Sequence, residues 1–484
     1  MAAADNPSLQ KTEANVQAHG TALRRELGLF DLVLAQILLV IVPDFFGSAA
    51  KAGPSHVVLW LSAMLLFFIP LALIVAHLNR LMPLEGGLYE WARLAFNDQI
   101  GFLVAWNLWL FIMLYVAVIG LVTTTFLAYA VPSLAWMADN KWAVLAASVV
   151  LIALQMLLAG IGFGVGKWFN NAGSIAVLIT VGVLVALPLM NASHGAHHGS
   201  ATAFRPLRLV APPLTIFTLS VFSKMTFGAL SGFEYVAIFA GESRNPARNI
   251  GRSILITAPL IALIYIFTTS AILAYVSPDN VDVIGPIPQA LRLGFGHLGF
   301  GNLGAVIVPV AIFLLLANYL STFSLYFSGS SRLPMAAGWD HLLPAWFSRL
   351  HARYKTPVNS ILFLGGATLA ASIAALIGVG EQEAYELLLT WGFTFYGVAY
   401  LALFAIPLLA PKASGIRPGI ALRVGAASGF LVTLLFVALS IFPIIDVASS
   451  WRYSLKIVVV VLGANFLGWV IYRVGQRKRE SMLI

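Results

Sequence analysis

The chain has 484 residues, 60% of them hydrophobic and only 10% charged, with a formal net charge of +9 and no cysteine. Soluble domains carry roughly 25% charge, so this balance argues against a soluble enzyme, and the missing thiols exclude disulfides, cysteine nucleophiles and thiolate metal sites. The basic excess could imply nucleic acid, but its distribution along the chain follows membrane topology instead.

The first 27 residues are polar and mixed in charge, without the cleavage site of a signal peptide. They are read as a cytoplasmic tail, and the first apolar run as an uncleaved insertion signal. Twelve apolar stretches follow, roughly at 28–53, 56–79, 100–132, 141–161, 168–190, 214–240, 251–276, 300–329, 358–379, 384–410, 420–443 and 455–474. Each is near or above the ~20 residues that cross ~30 Å of hydrocarbon. Pro83 with Gly86 and Gly87, Pro212 with Pro213, Pro278, Pro286, Pro344, Pro357, Pro411 and Pro418 separate them. None shows the sustained alternation of a membrane barrel strand. The predicted fold class is therefore an all-α integral membrane protein of 12 transmembrane helices.

Basic residues orient it. With the N-terminus cytoplasmic, 20 of the 28 lysines and arginines fall in cytoplasmic segments and 7 outside, leaving Lys224 within a span. The positive-inside rule then places both termini in the cytoplasm, and the high positive charge needs no nucleic-acid partner.

Two spans carry helix breakers near their middles. Span 1 has Pro43, Gly47 and Gly53, and span 6 has Gly228 and Gly232. A broken helix exposes backbone groups that lipid cannot satisfy, so such breaks line protein cavities. The two spans lie five apart and so run in opposite directions, the relation required between the first helices of inverted repeats that hold a solute near the midplane.

Three segments carry a more specific signature. These are Pro83-Leu-Glu-Gly-Gly-Leu-Tyr-Glu-Trp91 after span 2, SGFE followed by ESRNPARNI from Ser231 to Ile250, and SSRLPMAAGWDHLLPAWFSRLHARYKTP after span 8. On these the chain resembles an amino acid permease of the amino acid–polyamine–organocation superfamily, along nearly its whole length. The resemblance implies a five-plus-five inverted-repeat core with broken helices 1 and 6 plus two extra helices. It implies a transport core over 28–410, with repeats at about 28–190 and 214–410, helices 11 and 12 over 411–474, and a cytoplasmic tail at 475–484. It also implies alternating access for amino acids or related amines, by exchange or coupled to protons, in a plasma membrane such as the bacterial inner membrane.

Span 1 departs from the family pattern. Where many members have a Gly-Ser-Gly-like triplet whose amides bind a substrate carboxylate, this chain has Val42-Pro43-Asp44. Proline removes a donor and Asp44 repels a carboxylate. A similar loss occurs in the glutamate/γ-aminobutyrate antiporter branch. The place where some proton-coupled members carry a lysine in span 5 is held by Thr180.

Ionisable groups at membrane depth are costly, roughly 2.5–3.5 kcal/mol on insertion scales, and are functional candidates by default. Asp44 could take a substrate amine or a proton. Lys224, one turn before Gly228, could pair with Asp44 as a gate, meet a substrate carboxylate, or form a static pair that fixes packing. Glu234 matches the family's glutamate linked to proton coupling or helix gating, or anchors span 6 by hydrogen bonds. Substrate-binding candidates are Val42, Pro43, Asp44, Phe45, Gly47, Phe227, Gly228, Ser231, Gly232 and Tyr326, and coupling or gating candidates are Asp44, Lys224 and Glu234. Phe46 also flanks the span 1 break, Trp391 on span 10 is a looser aromatic candidate, and Lys51 is read as reaching the interface. Ser321, Thr322 and Ser324 are available to sodium but equally cap helix carbonyls. Glu85, Tyr89 and the arginines from Arg244 to Arg252 form a candidate cytoplasmic gate.

Other signals are set aside. His194, His197 and His198 sit in a Gly/Ser-rich loop without an acidic partner, and Gly160 to Lys167 lacks the context of a phosphate loop. Other acids, including Asp279, Asp282, Glu381, Glu383 and Glu386, are read as loop residues. No catalytic constellation, metal site or cofactor is expected. The expected partners are an amino acid or amine substrate, protons as a coupling ion, and the bilayer. A sensor that binds without cycling, or a polyamine transporter, are the alternatives.

Overall fold

The computed structural model describes residues 27–81, 87–193, 208–235, 243–297, 301–339, 342–409 and 418–483. Eleven helices are long and apolar enough to cross a membrane, and the pair Leu29–Val40 and Asp44–Ala50, bent by 50° at a short break, makes a twelfth span. Among the described residues there is no strand, only an isolated bridge between Leu27 and Ser243. The twelve-span expectation therefore holds, with shifted ends. Span 1 is the bent pair, and span 2 runs Gly53–Asn79, span 3 Asp98–Ala130, span 4 Lys141–Ile161 and span 5 Trp168–Met190. Span 6 runs Ile216–Tyr235, span 7 Arg248–Leu273, span 8 Gly304–Met335 and span 9 Val358–Ala375. Span 10 runs Glu381–Leu409, span 11 Ile420–Leu439 and span 12 Ser450–Glu480. The last helix does not end near residue 474 but continues to Leu483.

Burial sorts these spans. In the most apolar stretches of spans 3, 6 and 10, 78%, 78% and 72% of residues are buried, against 28% in spans 4 and 11 and 11% in span 12. The first set forms the centre, together with both halves of span 1. Span 12 instead turns large apolar side chains outward, among them Trp451, Leu462 and Phe466. In water these would be a liability, but against hydrocarbon they are the expected coat.

Span 1 breaks for a local reason. Pro43 has no N–H, and its ring would clash with the carbonyl four residues earlier, so the helix stops at Val40 and restarts at Asp44. That frees the carbonyls of Leu38 and Leu39 and leaves that of Val40 to Val42 N–H at 3.0 Å. Three hydroxyls from other spans reach all three: Thr322 donates to Leu38 at 3.4 Å, Tyr326 to Leu39 at 3.0 Å and Tyr265 to Val40 at 2.6 Å. The same Tyr265 oxygen accepts from Val42 N–H at 3.0 Å and lies 3.0 Å from the carbonyl of Ala229 in span 6. One buried hydroxyl on span 7 thus ties both breaks together, as the absence of water in a bilayer requires.

Span 6 opens later than its glycines imply. Gly228 lies within the continuous helix Ile216–Leu230. Its missing side chain admits Phe45: a Cβ there would come 2.0 Å from the Phe45 ring. The chain leaves the helix at Ser231, and Gly232 adopts φ +121°, a backbone conformation strained for any residue with a side chain. In span 1, Gly47 likewise sits inside the helix and allows close approach of the Val283 backbone, while Gly53 lies beyond the span. Of the five residues expected to break helices, only Pro43 and Gly232 do so.

Candidate functional site

Asp44 is the first residue of the second half of span 1 and is 2% exposed. Tyr115 on span 3 donates to its Oδ2 at 3.2 Å, and Tyr385 on span 10 donates to Oδ1. Tyr319 on span 8 approaches the same carboxylate, but its buried hydroxyl makes no hydrogen bond of normal geometry. Among the described residues no lysine, arginine or histidine forms a salt bridge with Asp44. It is a buried acid surrounded by neutral hydroxyls.

The expected contact between Asp44 and Lys224 does not form. Lys224 Nζ instead lies 2.5 Å from Glu386 Oε1, with side-chain exposures of 5% and 6%. Against the expectation of a loop residue, Glu386 lies in the helix of span 10. Glu381 and Glu383 occupy its first turn, and Glu386 lies further in, buried. Thr390, one turn on, contacts Glu386 Oε1 at 3.4 Å and pairs at 3.0 Å with the hydroxyl of Tyr453 on span 12.

A small cavity of about 20 Å³ separates the two groups, with Asp44, Phe45, Ser48, Lys224, Tyr385 and Glu386 on its wall. That is room for about one water, far below the ~300–1,000 Å³ of small-molecule pockets. In this conformation the cavity holds no space for a solute of amino-acid size. Phe45 forms one face and meets Phe393 edge-on at 4.8 Å.

Glu234 holds the corresponding place after the span 6 break. It is 1% exposed and accepts hydrogen bonds from Tyr396 and Tyr400, both on span 10. The Tyr400 oxygen also accepts from Gly232 N–H at 2.8 Å, which satisfies the amide freed by the break. Each broken span therefore carries one buried carboxylate just past its break, and tyrosines of a single helix reach both. Tyr385, Leu389, Phe393, Tyr396 and Tyr400 follow one another by three or four residues, so they share one face of span 10.

Of the residues singled out from the sequence, Asp44, Phe45 and Lys224 line the cavity. Val42, Pro43, Ser231, Gly232 and Tyr326 form the breaks and their bonding partners, and the Ser231 hydroxyl is buried without one. Phe227 packs flat on Phe436 at 4.5 Å, and Phe46 leans on Tyr265 at 4.9 Å. Trp391 points away from the site, its indole N–H donating to the Lys456 carbonyl on span 12 at 3.3 Å. Ser321 donates to the Phe169 carbonyl at 3.0 Å and Thr322 to that of Leu38, so these hydroxyls serve as caps here. Thr180 bonds carbonyls of spans 5 and 8. Glu85 and the three loop histidines lie outside the described residues, while Arg244, Arg248 and Arg252 are exposed. Sequence reasoning missed Tyr115, Tyr265, Tyr319, Tyr385, Glu386, Tyr396 and Tyr400. The spacing of tyrosines along span 10 was the available signal.

The sequence pattern described as amino acid permease matches residues 27–463. The chain is 25% identical to the branched-chain amino acid permease BcaP of Bacillus subtilis, over 74% of this chain and 76% of that one. It is 26% identical to the Asc-type amino acid transporter 1 of Mus musculus, over 80% and 71%. It is 23% identical to the probable agmatine/putrescine antiporter AguD of Lactococcus lactis, over 79% and 78%. With its twelve spans, two broken helices and buried carboxylates at the breaks, the chain belongs to the amino acid permease family and is an integral membrane transporter, not an enzyme.

Proposed function

We propose that the protein is a secondary active transporter of amino acids or related amines, cycling by alternating access as an exchanger or with protons as the coupling ion. Asp44 carries this reading. A buried carboxylate with only hydroxyl partners lacks a counter-charge, and a substrate ammonium or a proton would supply one. The likeness to BcaP supports amino acids and the likeness to AguD supports amines. In this reading Val42, Pro43, Phe45, Gly47, Phe227, Gly228, Ser231, Gly232 and Tyr326 shape the substrate site, while Asp44, Lys224 and Glu234 couple or gate it. The two inverted repeats would span about 28–190 and 214–410. The excess of basic residues on one face supports a cytoplasmic location for both termini.

The test is counterflow of labelled solute into proteoliposomes holding the full-length protein, after a thermal-shift screen of amino acids, their decarboxylation products and polyamines. Asp44→Asn should reduce uptake at least tenfold, which is about 1.4 kcal/mol. Undiminished flux in a chain carrying both Asp44→Asn and Lys224→Met would remove the proposed site.

A further inference from the structure

An α-amino acid presents an ammonium and a carboxylate on one carbon, so its site must answer both charges. The Asp44 end of the cavity answers only the first. Asp44 repels a carboxylate, and Pro43 beside it has no N–H to offer. The hydroxyls of Tyr115 and Tyr385 already donate to Asp44. Among the described residues, the one cation on the cavity wall is Lys224, and it is taken up by Glu386 at 2.5 Å. Drawing Lys224 onto a substrate carboxylate would strand Glu386 in a space with room for about one water, and an unpaired buried charge is strongly unfavourable. An ammonium meets the opposite situation. Asp44 forms no salt bridge among the described residues, and the Phe45 and Phe393 rings wall the same cavity, where aromatic faces attract cations.

Resting on the transport reading above, we infer that the site takes primary amines without a neighbouring carboxylate, such as alkylamines, aralkylamines or diamines, in preference to the parent amino acids. Glu386 is the specificity-determining residue. It occupies Lys224 and so denies a substrate carboxylate the cation on the cavity wall.

Binding to the full-length protein in lipid nanodiscs tests this with pairs that differ by the carboxylate alone: phenethylamine and phenylalanine, isoamylamine and leucine, putrescine and ornithine. The better-bound pair should favour the amine by at least about tenfold, or 1.4 kcal/mol. Glu386→Gln frees Lys224 and should narrow that ratio by about tenfold, chiefly by tightening the amino acid. An amino acid that binds the wild type as tightly as its amine, with counterflow intact, overturns the inference and leaves the transport reading standing. No binding by any member of either series, with no counterflow of any solute, overturns both. An amine preference that Glu386→Gln leaves unchanged removes the role of Glu386. Should that variant not fold, Glu386→Asp draws the carboxylate back from Lys224 and must narrow the ratio in the same direction. An unchanged ratio there removes the role equally.

Discussion

Replacing Lys224 by methionine isolates the electrostatics of the site. Methionine keeps an unbranched chain of similar length and removes the charge, so little of the cost comes from packing. What remains is the Glu386 carboxylate, 6% exposed, with only the Thr390 hydroxyl at 3.4 Å among the described residues. The adjoining cavity of about 20 Å³ admits about one water, too few to solvate a carboxylate. Removing one partner of a buried pair typically costs ~3–5 kcal/mol, whereas replacing both partners is often neutral or favourable. Lys224→Met should therefore destabilise strongly, and adding Glu386→Gln should restore most of the loss, a coupling of at least ~2 kcal/mol. Unfolding of the four chains in nanodiscs, followed by the fluorescence of the 12 tryptophans, measures this cycle. A double variant less stable than Lys224→Met, or single effects that add within ~0.5 kcal/mol, would refute a coupled buried pair.

Two further perturbations probe the breaks. Tyr265→Phe removes the hydroxyl shared by Val40, Val42 and Ala229. It should cost ~1–3 kcal/mol for the lost hydrogen bonds and, by leaving Val42 N–H only the Val40 carbonyl at 3.0 Å, speed amide exchange there, while an unchanged exchange rate would count against the bridge. Gly228→Ala places a methyl against the Phe45 ring. It should destabilise by ~1–3 kcal/mol through overpacking and lower counterflow, and Phe45→Leu in the same chain should restore both. No rescue would mean that the close approach of spans 1 and 6 is not what Gly228 provides.

The architecture was legible because lipid imposes a length on every apolar run, and turn-forming residues mark the ends. The break in span 1 was legible only in part. Pro43 removes a donor and strains a helix, yet Pro188, Pro259, Pro309 and Pro407 lie inside continuous helices here, so proline alone does not fix a break. Glycine is more ambiguous. Gly47 and Gly228 have the composition of breakers, yet each serves close packing, and only tertiary contacts decide between the two uses. The partner of Lys224 was hidden because pairing across 162 residues leaves no local pattern. Glu386 also stands two turns or less from Glu381 and Glu383, which favour the start of a helix, and so it read as part of their exposed cluster. Tyr265 was the hardest to find. A tyrosine in an apolar span satisfies any composition rule, and its role exists only because two distant breaks arrive beside it.

The tyrosine face of span 10 sets a mechanical constraint. Tyr385 reaches Asp44, and Tyr396 with Tyr400 reaches Glu234. Between them Phe393 is clasped by Phe45 at 4.8 Å and Phe111 at 5.0 Å. At 1.5 Å per residue, Phe393 divides the helix into arms of roughly 12 Å toward Tyr385 and roughly 10 Å toward Tyr400. A seesaw with near-equal arms turns any tilt about its fulcrum into opposite displacements at its ends. A tilt of this one helix about Phe393 would therefore draw its tyrosines toward one carboxylate and away from the other, although the two acids share no contact.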